Sequence, residues 1–158
     1  MIQDNSQILV PFDSTELAIK ALDRACEVAK DTNSELILLY VLDTTCLCPG
    51  GIREHIRDMN EFETARNRYL DELKSAAEQM IQEKWKELNR KGIKVTSHVK
   101  TGDPADEILN VARIEMVHAI IMGSSGSLKR LHERKGIGSI SRFIAHSMVA
   151  IAFNGKLS

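Results

Sequence analysis

Residues 120–141 read IIMGSSGSLKRLHERKGIGSIS, and this stretch sets the architecture of the chain. The apolar run over residues 118–122 has the length of one buried strand. It stops at Gly123, and Gly126 follows three residues later. A basic stretch over residues 129–135 comes next, after which Gly136, Gly138 and Ser139 open what reads as a last helix. A strand that ends in glycines and feeds a helix N-terminus suits an anion. Glycine lets the backbone approach a ligand closely. Free N–H groups and the helix dipole favour a phosphate there.

Working outward, the chain alternates strands and helices. Residues 7–12, QILVPF, form a short apolar strand. A helix fits residues 15–31, with Leu17, Ala18, Ala21, Leu22, Ala25, Val28 and Ala29 on one face and Asp13 or Ser14 as its cap. Residues 35–42, ELILLYVL, are apolar throughout, as a strand covered on both faces must be. A loop punctuated by Pro49, Gly50 and Gly51 leads to a long polar helix, from Glu54 or Asn60 to Arg90. Phe62, Tyr69, Leu73, Ala76, Met80 and Leu88 supply its expected buried stripe, and Gly92 closes it.

Residues 93–100, IKVTSHVK, alternate apolar and polar, the pattern of a half-exposed edge strand that carries His98. Asp103 and Pro104 supply the cap and first position of the next helix, whose apolar face is Ala105, Ile108, Leu109 and Ala112. After the glycine loop, a final helix is expected over residues 139–146 and a last strand over 148–153. Such alternation predicts one α/β domain over residues 1–158: an open parallel five-stranded sheet with helices on both faces. Ligands of such sheets sit beyond the strand C-termini, where the strand order reverses. Three strand ends thus carry candidate site residues: 11–14, 41–43 and 123–139.

Bulk properties narrow the function. The 158 residues are 43% hydrophobic and 27% charged, ordinary for a globular domain. A net charge of -1 argues against a nucleic-acid binder. No apolar run approaches the roughly 20 residues that span a bilayer, and the polar start MIQDNSQ lacks a signal-peptide core, so the expectation is a cytoplasmic protein away from membranes. Cys26, Cys46 and Cys48 make no disulfide framework. Cys46 and Cys48 form a C-x-C pair with His55 as the one further ligand nearby, and two plain loop thiols are the simpler reading. Several catalytic signatures are missing: the dinucleotide G-x-G-x-x-G after the first strand, the P-loop, the S-G-G-x-D-S of adenylating synthetases and the G-x-S-x-G elbow.

PFDSTELAIKAL after the first strand, YVLD ending the second, TGDPADEIL entering the third helix and IIMGSSG at the fourth strand resemble the universal stress proteins over nearly the whole chain. The resemblance implies their adenine-nucleotide alpha hydrolase-like fold and a site for ATP, or for AMP or another adenine nucleotide, with magnesium carried by the nucleotide. The family's phosphate pattern is Gly, two residues, Gly, nine residues, then Gly with Ser or Thr. Gly123 and Gly126 match its first half. Gly136 stands at the right distance but is followed by Ile137, and the Gly-Ser pair comes two residues later, at Gly138 and Ser139. By resemblance, Pro11 and Asp13 border adenine and ribose, with Ser14 beside them. Val41 packs on the base and Met122 lines its pocket. Gly123 and Gly126 present backbone to ribose and phosphates, and Gly138, Ser139 and Ile140 hold the phosphates. Asp13 and Ser139 serve equally as helix caps, and Val41 as core. His118 replaces the family's acidic residue before the fourth strand and reads as a strand-start residue.

The family also implies a homodimer through the C-terminal edge strand, which would cover an edge prone to aggregation. Two functional readings stay open: a nucleotide-binding stress or signalling protein with at most slow hydrolysis, and a dimeric interaction module that binds no nucleotide. A true hydrolase or transferase would have to rest on His132, the one histidine of the basic loop.

Overall fold

The computed structural model describes residues 6–45, 58–123 and, for the backbone alone, 150–153. The elements follow in the order β1 (Gln7–Pro11), α1 (Glu16–Thr32), β2 (Glu35–Asp43), α2 (Met59–Arg90), β3 (Val95–Gly102), α3 (Pro104–Ile114), β4 (Ala119–Gly123) and β5 (Ala150–Phe153). All paired strands are parallel, in the order β3-β2-β1-β4-β5. The expected last helix over residues 139–146 lies outside the described residues.

The middle of β2 explains the layering. Leu36, Ile37, Leu38 and Leu39 are each 0% exposed. Successive strand residues point to opposite faces, so this run needs apolar cover on both sides. On one face Leu36 and Leu38 join Ile8, Val10 and Ile121 against Ala18, Ala21, Leu22, Ala25 and Ala29 of α1 and Ile81 and Leu88 of α2. On the other, Ile37 and Leu39 join Leu9, Ile120 and Met122 against Ile108, Val111 and Ala112 of α3. The chain steps from β1 to β2 to β3 with α1 and α2 on one face. It then returns past β1 to β4 with α3 on the other, as right-handed crossovers require.

The sequence reading of α2 needs correction. Its first buried residue is Ala77, followed by Ile81 and Leu88. Of the expected stripe, Leu88 is buried and Met80, Phe62 and Leu73 are half-buried, while Tyr69 is 52% exposed and Ala76 is exposed. Helical periodicity identifies a face, but the sheet decides how much of that face finds cover. Only the C-terminal half of α2 lies on β2 and β3.

As expected, β3 is a sheet edge, and its start is guarded. The carbonyl of Lys94 receives the Leu36 N–H at 2.9 Å. The next carbonyl, that of Val95, therefore faces away from β2. The Trp85 indole N–H of α2 donates to it at 2.7 Å. Two residues further along α2, Glu87 accepts from Lys84 at 2.7 Å and from Lys91 at 2.9 Å. Those hydrogen bonds, Lys84 first, hold its carboxyl at about 2 against an ordinary 4.5.

Trp85→Phe keeps most of the packing but strands the Val95 carbonyl. Urea unfolding should show a loss of about 1–3 kcal/mol. A depressed carboxyl stabilises the fold above its ordinary range and loses that contribution as pH falls through its folded value. Glu87→Gln should therefore cost less than about 1 kcal/mol at neutral pH, because the side chain is 44% exposed and screened. The gap between variant and parent should close as pH falls from 4.5 toward 2. A gap that is constant with pH would contradict this account of the pair.

Candidate functional site

The strand order reverses between β1 and β4, which pair with each other at the centre of the sheet, so the crevice of interest opens above their C-terminal ends. Leu9 pairs with Ile120. Two residues further along each strand stand Pro11 and Met122, and Pro11 pairs with Leu39 of β2. Val41 lies two residues beyond Leu39. The structure thus brings Pro11, Val41, Met122 and Gly123 to one end of three adjacent strands.

The loop after β1 is tightly organised. The Asp13 Oδ1 accepts the Thr15 N–H at 3.0 Å and the Thr15 hydroxyl at 2.6 Å. The Thr15 Oγ1 in turn accepts the Ala18 N–H at 3.2 Å and caps α1. Neither Asp13 nor Ser14 is the cap, contrary to the sequence reading. Asp13 instead fixes the hydroxyl of the residue that is, and the helix starts at Glu16. Between them Ser14 holds φ at 62°, in the left-handed region. Asp13 and Ser14 are exposed.

The pattern recurs at the neighbouring strand ends. Asp43 Oδ1 accepts the Thr45 N–H at 2.8 Å and its hydroxyl at 2.6 Å. Asp103 caps α3 by accepting from the N–H groups of Ala105 and Asp106, as expected from the sequence. Each of three adjacent strands therefore ends in an aspartate that turns the chain by binding backbone N–H groups. Tyr40 sits close enough to Asp13 to feel its charge: burial first, then that carboxylate, pushes the phenol up.

The two apolar candidates differ in depth. Met122 is 3% exposed and belongs to the cluster on the α3 face, and Val41 is half-buried at the margin of that cluster. Gly123 packs closely against the start of α1. A Cβ there would lie 3.0 Å from Cβ and 3.2 Å from the carbonyl carbon of Leu17. The end of β4 and the first turn of α1 touch backbone to backbone because no side chain intervenes. Gly126, Gly138, Ser139 and Ile140 lie outside the described residues, as do Cys46, Cys48, His55 and His132. Among the described residues no group of three or more His, Cys, Asp or Glu side chains is placed to hold a metal ion.

His118 is a strand-start residue, as read from the sequence. Its N–H donates to the Gln7 carbonyl at 2.9 Å, and its Nδ1 accepts the Gln7 N–H at 3.2 Å. Cys26 is a half-buried free thiol that burial pushes up, with Asp23 adding to the effect. Sequence reasoning missed Thr15 and Tyr40 around Asp13. The one available signal was the repeated Asp-x-Thr at 13–15 and 43–45, directly after two apolar runs.

A parallel sheet with helices on both faces and a reversal of strand order between β1 and β4 defines a domain of the doubly wound α/β class. Within it, residues 5–149 match the model of the universal stress protein family. The chain is 30% identical over 148 residues to the universal stress protein YxiE of Bacillus subtilis, covering 89% of this chain and 91% of that one. Universal stress protein MJ0577 of Methanocaldococcus jannaschii is 32% identical over 128 residues, 76% of each chain. Its solved structure superposes with a TM-score of 0.74 over 98% of this chain and 99% of that one. An Arabidopsis thaliana family member, At3g01520, solved with AMP bound, shares the fold at a TM-score of 0.57 and 14% identity, over 96% of this chain and 92% of that one. The chain belongs to the universal stress protein family.

Gly123→Ala should destabilise the protein by about 1–3 kcal/mol, since relief of the overlap requires β4 or α1 to move. Thermal and urea unfolding measure it. A neutral substitution would mean that the contact with Leu17 is looser than described.

Proposed function

We propose that this protein binds an adenine nucleotide above the C-terminal ends of β1, β2 and β4, with ATP as the ligand and magnesium carried on its phosphates. The observation that carries the reading is that Asp13, just after β1, and Gly123, at the end of β4, follow adjacent strands at the reversal of strand order. Asp13 accepts hydrogen bonds from ribose hydroxyls or the adenine amino group, with Pro11 and Ser14 at its sides. Val41 packs on the base and Met122 forms the floor beneath it. Gly123 and Gly126 offer backbone to ribose and phosphates, and Gly138, Ser139 and Ile140 close on the phosphates at a helix start. AMP in the Arabidopsis protein of the same fold supports the ligand class. The chemistry asked of the site is binding, with turnover slow at most.

In this reading the protein works in the cytoplasm, in stress response or signalling, as a homodimer joined along β5. That strand is the sheet's second edge in the described structure, and a two-fold mate would satisfy its outward backbone groups. Among the described residues no helix is long and apolar enough to cross a membrane. One observation favours a second reading, a dimeric interaction module without nucleotide: the Gly-Ser pair at 138–139 stands two residues beyond its place in the family pattern. An added pair of residues can bulge out of a loop at little entropic cost, so the spacing alone leaves the first reading in front.

Calorimetric titration with MgATP, and in parallel with AMP, decides between them. The parent protein, stripped of co-purified nucleotide, should bind MgATP with micromolar affinity. Gly126→Val should abolish that binding by blocking the backbone's approach to the phosphates. The absence of heat and of any thermal shift in the parent protein would sink the nucleotide reading and leave the interaction module.

A further inference from the structure

On the α3 face of the sheet, apolar cover stops at one level. Along β2, Ile37 and Leu39 are 0% exposed, while Val41 is half-buried. Along β1, Leu9 is sealed in the same way and Pro11 is half-buried. Two contacts fix how α3 is turned above them. Its Glu107 side chain lies over Gly102, with Cγ and Oε1 each 3.2 Å from where a Cβ would stand. Further along the helix, the Glu115 Oε1 is 3.6 Å from Nε2 of His98. Both partners belong to β3, and His98 precedes Gly102. α3 therefore runs antiparallel to β3, with positions 107, 111 and 115 on its β3 side. Positions 105, 109 and 112 share the opposite side, which faces β1 and β4.

That side shows the same step in cover. Ala105 and Ala112 point the same way, about two turns apart. Ala112, toward the strand starts, is 0% exposed, whereas Ala105, toward the strand ends, is half-buried. Leu109, between them, is half-buried against the same apolar cluster as Val41. Pro11, Val41, Ala105 and Leu109 thus rim one apolar opening at the C-terminal ends of the strands.

We propose that α3 supplies a wall of the base pocket, with Ala105 and Leu109 setting its width. The proposal rests on the nucleotide reading of this site. The adenine ring enters between Val41 and the α3 side chains, Leu109 adds apolar contact, and the small Ala105 leaves room for the ring. Polar recognition stays with Asp13. The wall is rigid before a ligand arrives, because Asp103 Oδ1 accepts the Ala105 N–H at 3.0 Å and pins the first turn of the helix. Such preorganisation lowers the ordering cost of binding.

The test has two arms. In the first, the parent protein saturated with MgATP should show NOEs from the adenine ring protons to the methyl groups of Ala105 and Leu109. In the second, calorimetry compares variants. Ala105→Leu narrows the opening and should weaken MgATP roughly tenfold or more. Leu109→Ala removes apolar contact and should weaken it roughly three- to tenfold. Both sites are half-buried at a helix margin, so each Tm should stay within about 4 °C of the parent. Should a variant fail to fold, the NOEs on the parent decide alone. MgATP bound without those NOEs, or bound by either folded variant as tightly as by the parent, would overturn the α3 wall and leave the nucleotide reading standing. A parent protein that takes no nucleotide would overturn both.

Discussion

Four consecutive residues of β2, Leu36 to Leu39, lie fully out of water. No single layer can achieve that, since two point up and two point down. The chain must supply apolar helices on both faces of the sheet, and a strand–helix–strand connection that does so makes its strands parallel. Parallel strands bring all their C-terminal ends to the same side. The core therefore determines where a site can be: above β1, β2 and β4, where the loops gather and the strand order reverses.

What the loops do there is electrostatic and local. Asp13, Asp43 and Asp103 each turn the chain by accepting backbone N–H groups. The first also orders the hydroxyl that caps α1. A carboxylate used this way is held in place before any ligand arrives, which lowers the ordering cost of binding. Gly123 brings the end of β4 against the first turn of α1 by having no side chain. The same two features, an aspartate turn and a bare glycine, serve folding and recognition together in the nucleotide reading of this universal stress protein.

The parts of the fold legible in the sequence were those written in local chemistry. The apolar run of β2 and the Asp103-Pro104 start of α3 each have one physical explanation and stand as read, while β3 is the expected edge strand but runs Val95–Gly102, two residues later than the 93–100 read from its alternation. The buried stripe of α2 was misread at Tyr69 and Ala76 because periodicity reports which residues share a face, while cover depends on where the sheet stops. Pro11, Asp13, Val41, Met122 and Gly123 could be placed at or just after strand ends from the sequence, and there they lie. Thr15 could not be named, because a cap is chosen by competition among neighbouring oxygens.

The length of α2 has a consequence of its own. Thirty-two residues of helix extend about 48 Å, whereas the eight residues of β3 extend about 26 Å. The part from Ala77 onward is enough to cross the sheet. A crossover helix runs against its strands, so the surplus lies at the end where the strands finish, beside the crevice. Its residues 59–72 are exposed or at most half-covered, and mix acidic and basic side chains around Phe62 and Leu70. The domain does not need their identities in order to fold. Substitutions there are close to free for the core, and over evolutionary time this length of helix can drift, or be tuned to an outside surface, while the sheet beneath it stays the same.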